Sequence, residues 1–368
     1  YKKGTTRSRL GAIQAGKLGT YLGNEWSRMG GMDFSDVGYD AFLINGKKDS
    51  QLAAIQPGEK VRVRIINAAA SSYFYVSLGK TPMKVISADG VDIKPLYAKE
   101  ILMGMAETYD VLFEAPGHKN YELKATSQDG TGSASGWLGT GESVPAPVKP
   151  FPEMYASMDH GNHGGNHDSQ ASHSGHEKNS EEAKHDSHAE HAEHATVESA
   201  PSGDQSAAVD TLSVDDLEAQ SKTTFSKTGK VHELKLVLGG DMRRYIWHIN
   251  NKAIHEDRTI TINEGDLVRF TFENTTMMHH PMHLHGHFFR VLNESGDYSP
   301  LKHTVDVPPH MSRTIEFLAN EPGEWMLHCH NLFHMNTGMA RVVKYSSFTP
   351  KQEITHIQHK DHHLHDPL

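Results

Sequence analysis

Cysteine is nearly absent from this sequence, which contains a single one, Cys329, in 368 residues. A lone cysteine cannot form an internal disulfide, so cysteine usage does not indicate a redox compartment. Long apolar runs are also absent, because no stretch approaches the roughly 20 residues that a transmembrane helix needs. A basic excess is lacking too, since the formal net charge is -10. The sequence therefore predicts neither a membrane span nor a nucleic-acid partner.

Histidine and methionine are abundant instead, with 28 and 15 residues respectively. Cys329 lies between His328 and His330, and His334 and Met339 follow it closely. A mononuclear blue-copper centre is built from one Cys thiolate, two His nitrogens and a weak axial Met. This stretch supplies all of these ligands except the second histidine.

The backbone period separates the ligands around Cys329 into two sets. If residues 324–330 form a strand, successive side chains point to opposite faces. Cys329 then faces one way, and His328 and His330 face the other. This pattern predicts two metal sites joined by short peptide links, which suits electron transfer between metals.

A second stretch, from His279 to His287, offers the missing histidine and further ligands. Together the two stretches resemble the third and fourth copper motifs of multicopper oxidases. The resemblance implies a type 1 copper site, whose ligands are His280, Cys329, His334 and Met339. It also implies part of a trinuclear type 2/type 3 cluster, with the ligands His283 (type 2) and His285, His328 and His330 (type 3). Cys329, flanked by His328 and His330, is then the expected electron path; His279 and His287 match no ligand position.

The same resemblance implies an all-β fold with two cupredoxin-like Greek-key β-sandwich domains, joined by a disordered His/Met-rich linker. The expected segments are a first domain at 1–144, the linker at 145–222, a second domain at 223–348 and a His-rich tail at 349–368. Within the family the sequence is most similar to the copper-resistance protein A group. The signals for this group are the stretch from Gly38 to Gly46 and the His/Met-rich insert between domains.

Local patterns predict individual elements. Apolar and charged residues alternate from Val61 to Ile65, which indicates a strand with one buried and one solvated face. Asn45-Gly46 is a hairpin signal. One or two short strands are expected between Gly11 and Gly23, and a short helix around Ser213 to Gln220, capped by Ser213, is expected to end the linker.

The linker contains Met154, Met158 and nine histidines between His160 and His194, with few large apolar residues. Such a segment cannot bury enough surface to offset its ordering entropy, so disorder is predicted. It is either a solvated linker or a loose copper-collecting tether. The tail is either an accessory metal tract or merely polar.

One feature departs from the family pattern. The trinuclear cluster of the family uses eight histidines, and half of them come from two His-x-His motifs in the first domain. Residues 1–278 contain no His-x-His pair. We expect a truncated sequence whose absent N-terminal cupredoxin domain completes the cluster, and a degenerate copper protein is the alternative.

The predicted function is oxidation of a reductant, Cu(I), coupled to reduction of O2 to water in periplasmic copper resistance. The expected cofactor is copper, and the expected partners are copper ions and O2. Two alternatives remain open. One is a periplasmic copper-binding or storage protein without turnover, and the other is a laccase-like phenol oxidase.

Overall fold

The computed structural model describes residues 8–26, 34–153, 208–226, 229–241 and 244–349. Within them the chain is predominantly β-structure, in sheets of ten, six and five strands, so the all-β prediction is confirmed. The histidines of the predicted linker and the tail beyond residue 349 lie outside the described residues. None of the helices in the described ranges is both long and apolar enough to cross a bilayer.

Residues 49–144 and 209–212 form the ten-stranded sheet, in which β1-β8-β7-β3-β5-β4-β6-β2 are hydrogen-bonded in that order. Its strands are β1 (Asp49–Ala53), β2 (Lys60–Ile66), β3 (Phe74–Leu78), β4 (Met83–Ala88), β5 (Val91–Met103), β6 (Thr108–Glu114), β7 (Lys119–Ser127), β8 (Ser133–Gly139), β9 (Glu142–Val144) and β10 (Val209–Leu212).

The alternating strand β2 is present as predicted and pairs antiparallel with β6. Its apolar face is only half-buried, however, because Val61, Val63 and Ile65 line an open apolar cavity of about 980 Å³. The 13-residue strand β5 has no alternating sequence signal. It contains a proline and several exposed charged residues, which hide a strand from pattern reading.

The expectation of strands between Gly11 and Gly23 is wrong, because this segment forms α1 (Arg9–Gln14) and α2 (Leu18–Trp26). The Ser8 hydroxyl accepts a hydrogen bond from the Gly11 amide at 3.1 Å and so caps α1. Gly16, with φ +66°, follows the end of that helix in the left-handed conformation that glycine adopts freely.

Disorder up to residue 222 is also wrong for the described end of the linker. Strand β10 pairs parallel with β5, and Leu212 and Leu217 are buried in the core. The predicted cap is present, because Ser213 and Asp216 form a capping box, but the helix is a 3-10 turn limited to Val214–Asp216 and does not extend to Gln220. Burial of these apolar side chains offsets the entropy cost of ordering this segment.

The second half forms the six-stranded sheet β12-β11-β14-β19-β16-β17 and the five-stranded sheet β13-β21-β20-β15-β18. Its elements are β11 (Val231–Asp241), β12 (Ile246–Ile249), β13 (Thr259–Ile262), β14 (Leu267–Asn274), β15 (His280–Leu284), β16 (Phe289–Val291), β17 (Leu301–Lys302), β18 (Thr304–Val307), β19 (Ser312–Leu318), β20 (Glu324–Cys329), α3 (Leu332–Thr337) and β21 (Ala340–Tyr345).

Strands β15 and β20 bring the two histidine-rich stretches together. They are antiparallel neighbours, with Met282 opposite Cys329 and His283 opposite His328. Residues directly opposite each other in an antiparallel pair point to the same face. The register therefore places His283 and His328 on one face of the sheet and Cys329 on the other.

Candidate metal centres

Cys329 forms a compact triangle with two histidines. Its Sγ lies 3.6 Å from Nδ1 of His280 and 3.6 Å from Nδ1 of His334, and these two nitrogens are 3.0 Å apart. All three residues are fully buried. A point at the centre of such a triangle lies about 2 Å from each corner, close to the length of a metal–imidazole bond. The donor set and its size fit copper in a trigonal arrangement of one thiolate and two imidazoles.

The outer nitrogen of His280 is held by a hydrogen-bonded side chain. The Thr276 hydroxyl donates to Asn274 Oδ1 at 2.8 Å and lies 2.8 Å from His280 Nε2. Because its only proton is used on Asn274, Thr276 accepts from His280, and Nε2 must carry the imidazole proton. The Nδ1 lone pair of His280 is thereby directed at the triangle.

His334 lies on α3, which begins after Asn331 and packs against Trp247. The Trp247 indole stacks on the His334 ring at 3.9 Å between centroids. The helix ends at Gly338, where φ is +136° and a Cβ would meet the Trp247 carbonyl oxygen at 2.5 Å. Only glycine suits this position.

Met339 follows Gly338 and is fully buried beside the triangle. Its carbonyl accepts a hydrogen bond from the Cys329 amide, and its own amide donates to the His334 carbonyl, both at 3.0 Å. The backbone of Met339 is therefore tied to two corners of the triangle. Its role as an axial thioether ligand stays a prediction.

Asp36, from the first half of the chain, contacts the outer face of His334 and has no signal in the sequence. Its carboxylate accepts hydrogen bonds from the Asn331 amide group at 2.6 Å and the Tyr245 hydroxyl at 2.8 Å. His334 Nε2 lies 3.3 Å from Oδ1 and donates to it. Burial alone raises the pKa of Asp36, but the His334 charge and the three hydrogen bonds outweigh it, so the pKa lies below its ordinary value. A charged Asp36 thus fixes the His334 tautomer with Nδ1 free.

Two corners of the triangle, Cys329 and His280, are uncharged before metal binding. Burial raises the pKa of the Cys329 thiol well above its ordinary value. Burial, followed by the charge of His334, lowers the pKa of His280 well below its usual range. A bound cation would displace the thiol proton, which couples metal affinity to pH.

A second group, on the opposite face, contains His283, His285 and His328, whose ligand atoms lie within 4.8 Å of one another. The Nε2 atoms of His285 and His328 are 3.1 Å apart. His283 Nδ1 donates to the His303 carbonyl at 2.8 Å, and His328 Nδ1 donates to the Cys329 carbonyl at 3.0 Å. Since a carbonyl only accepts, both rings are protonated at Nδ1 and leave Nε2 for a metal.

His330 borders this second group without belonging to its inner set of three. Its ring centroid lies 5.4 Å from that of His328 and 5.6 Å from that of His283. Burial lowers the pKa of His283 to about 3 and that of His328 to about 4, and it also lowers the pKa of His330. These rings are neutral at pH 7, which is the form that binds a cation.

The two histidines that match no ligand position, His279 and His287, form hydrogen bonds with groups outside the two sets of three. His279 Nδ1 lies 2.8 Å from Asp306. His287 donates from Nδ1 to the His285 carbonyl at 3.1 Å, and its Nε2 lies 2.6 Å from the Tyr345 hydroxyl. Neither ring reaches the two groups of three.

One group of a cysteine and two histidines therefore lies beside an all-histidine group across a shared pair of strands, and these donor sets could hold copper. Two models of the family described as multicopper oxidase match residues 23–143 and 227–348. This chain belongs to the multicopper oxidases, a family that binds copper.

The chain is similar in sequence to copper-resistance and multicopper oxidase proteins. It is 32% identical to copper resistance protein A of Escherichia coli over 374 residues, covering 86% of this chain and 61% of the relative. It is 34% identical to copper resistance protein A of Pseudomonas syringae pv. tomato over 376 residues, covering 86% and 62%. The multicopper oxidase MmcO of Mycobacterium tuberculosis is 29% identical over 321 residues, covering 87% and 53%. The chain thus spans between half and two thirds of the length of these relatives.

Solved structures share the fold. Fet3p, a multicopper oxidase that functions in iron import, matches with a TM-score of 0.56 at 16% identity, covering 83% of this chain and 59% of that one. A multicopper oxidase from Campylobacter jejuni, described as a metallo-oxidase, matches with a TM-score of 0.52 at 18% identity, covering 85% and 58%. At these identities the likeness concerns the fold alone.

Proposed function

We propose that this chain carries the electron-entry site and half of the O2-reducing site of a multicopper oxidase whose reductant is Cu(I). The observation that carries this proposal is the position of Cys329, whose side chain lies in one metal group while the adjacent His328 lies in the other. Four Cu(I) ions would give four electrons, which together with four protons reduce one O2 to two water molecules.

In this proposal His280, Cys329, His334 and Met339 are the type 1 ligands. Copper, when bound, supplies one-electron exchange at this centre and O2 reduction at the histidine group. Asp36 and Thr276 orient the two type 1 imidazoles, and the buried surroundings exclude water from the thiolate. The Cys329 backbone, with His328 and His330 on either side, provides a covalent path toward the second site.

The second site would use His283 as a type 2 ligand and His285, His328 and His330 as type 3 ligands. These are four of the eight histidines that the family uses, so the proposal includes a cupredoxin domain outside this chain that supplies the others. The division into domains at 1–144 and 223–348, with a linker and a tail, is part of the same proposal. A periplasmic location follows from the resemblance, and cell fractionation would test it.

Surface sulfur favours Cu(I) as the reductant, because thioethers prefer cuprous ions. Of the methionines near the type 1 group, Met278 and Met282 are buried in the core and do not face solvent. Met277 is half-buried, and its Sδ lies 2.9 Å from Nε2 of the exposed His310. Met311, which follows His310 in the chain, is 45% exposed. These accessible groups could hold a cuprous ion outside the electron-entry site.

The test is steady-state O2 consumption with Cu(I), or with a phenol, by this chain preceded by a cupredoxin domain with two His-x-His motifs. We expect turnover with Cu(I), and none from the copper-loaded chain alone, although the latter should be blue. Rapid O2 consumption by the chain alone would contradict the missing-ligand argument. Faster turnover with the phenol would favour the laccase-like alternative, and copper binding without turnover in either form would favour storage.

A further inference from the structure

A buried lysine lies between two carboxylates where the two halves of the chain meet. Lys302, on β17, is fully buried, and its Nζ is 3.1 Å from Asp89 Oδ2 and 3.2 Å from Glu107 Oε1. Both carboxylates come from the first half of the chain and are also buried. The same nitrogen lies 4.9 Å above the Tyr109 ring.

Such a cluster is weak as a purely stabilising device. Removing charges from water costs several kcal/mol per ion, and apolar replacements of buried ion pairs are often as stable. A buried ion pair such as Lys302–Asp89 is better explained where it fixes a geometry. The contacts of Asp89 show which geometry this network fixes.

Asp89 holds the backbone beside the second metal group. Its Oδ2 accepts hydrogen bonds from the amides of His303 and Thr304, both at 3.1 Å. These two residues in turn hold His283, whose Nδ1 lies 2.8 Å from the His303 carbonyl and 3.0 Å from the Thr304 hydroxyl. A continuous chain of contacts therefore runs from Lys302 through Asp89 and residues 303–304 to His283.

Asp89 is itself held firmly. It lies with Gly90 in the turn between β4 and β5 and has φ +48°, a left-handed conformation that Asp tolerates in such turns. Its amide donates to the Thr108 carbonyl at 2.8 Å, and its Oδ1 accepts from the Thr108 amide at 3.0 Å. These hydrogen bonds hold the carboxylate toward Lys302 and the amides of residues 303–304.

We propose that Asp89, neutralised by Lys302, is a positioning residue for His283. It holds residues 303–304 so that their oxygens accept from His283 Nδ1, which fixes the tautomer and aims Nε2 toward His285 and His328. Docking of the first half onto the second therefore sets the orientation of one ring of the histidine group. The inference rests on the proposed function only in that His283 is taken to be a metal ligand.

The experiment measures the His283 tautomer in the copper-free full chain by long-range 1H–15N NMR of 15N-histidine-labelled protein. The His283 signals are assigned by their loss in His283→Gln. We expect a single Nδ1–H tautomer in the wild type and loss of that single form in Asp89→Asn. Mutation of a residue that holds a metal-ligating histidine typically lowers metal affinity 10- to 100-fold, so copper titration of Asp89→Asn should show a loss of about this size.

Two further variants separate positioning from general stability. Asp215→Asn breaks another ion pair, with Arg313 at 2.7 Å, that has no contact with His283, and the His283 tautomer should stay unchanged in it. Asp89→Asn/Lys302→Met removes both charges together, which buried pairs often tolerate, and Asn tolerates the left-handed φ of +48° at this turn. A fold therefore remains for measurement if Asp89→Asn alone unfolds because Lys302 is left unpaired. The double variant should also lose the single tautomer.

An unchanged His283 tautomer in a folded variant that lacks the Asp89 carboxylate, with only a lower melting temperature, would overturn the inference. Because the tautomer measurement uses no copper or O2, this outcome is independent of whether the chain takes part in oxidase turnover. The two proposals can therefore fail separately.

Discussion

Asp36→Asn isolates the effect of one buried charge on the electron-entry site. Asn retains the shape of Asp and can still accept from His334 through its oxygen, but it removes the negative charge. That charge stabilises Cu(II) more than Cu(I), since the oxidised ion carries one more positive charge. We therefore expect the reduction potential of the type 1 centre to rise.

The magnitude follows from the position of Asp36. Its Oδ1 lies 3.3 Å from His334 Nε2. The width of the imidazole ring and one metal–nitrogen bond together add roughly 4 Å. Because these segments are not collinear, the carboxylate lies about 6–7 Å from a bound ion. At an effective dielectric constant near 20, one unit charge at that distance contributes roughly 2–3 kcal/mol. For one electron this corresponds to a potential change on the order of 100 mV.

The assay is spectroelectrochemical titration of the blue absorption band in wild type and variant. The pKa of Asp36 is below its ordinary value, so the carboxylate stays charged above about pH 5, and the difference should persist from there to pH 8. Asp297→Asn serves as the control, because this carboxylate is exposed and pairs with Lys222, and the potential of this variant should match the wild type. A potential for Asp36→Asn that equals or falls below the wild-type value would refute the electrostatic argument.

Four other outcomes are expected. Cys329→Ser should abolish the blue band while circular dichroism shows an intact β-fold, and Met339→Leu should stay blue with a shifted potential because a thioether tunes the site without defining it; a blue Cys329→Ser would rule out this ligand. Burial raises the pKa of Glu107 from 4.5 to about 7, so the folded state retains a proton that the unfolded state releases. Stability should therefore fall by on the order of 2–3 kcal/mol as pH rises from 4.5 to 7, and Glu107→Gln should flatten this slope in denaturant titrations; an unchanged slope would mean another group is responsible. In the complete oxidase, deletion of residues 158–195 should raise the apparent KM for Cu(I) and leave a phenol unaffected, whereas equal effects on both substrates would reduce the tract to a linker.

Sequence patterns predicted the elements whose burial follows a simple period. The alternation from Val61 to Ile65 predicted β2, and the Ser213 cap predicted the short turn near the end of the linker. The pattern was misleading between Gly11 and Gly23, where two short helices form instead of strands. Short segments with many glycines carry little periodic signal, so their conformation depends on local caps and contacts.

The grouping of chemistry around Cys329 follows from the local sequence alone. A strand period of two separates Cys329 from His328, and a single helical turn places His334 beside the thiol, so these relations need only local backbone geometry. Which nitrogen each ring presents depends instead on the packed fold. Asp36 lies 298 residues from His334 and Asp89 lies 214 residues from His303, so no local pattern connects them. Hydrogen bonds from such distant groups arise only when the two halves pack together, because a buried polar atom must find its partner wherever the fold supplies one.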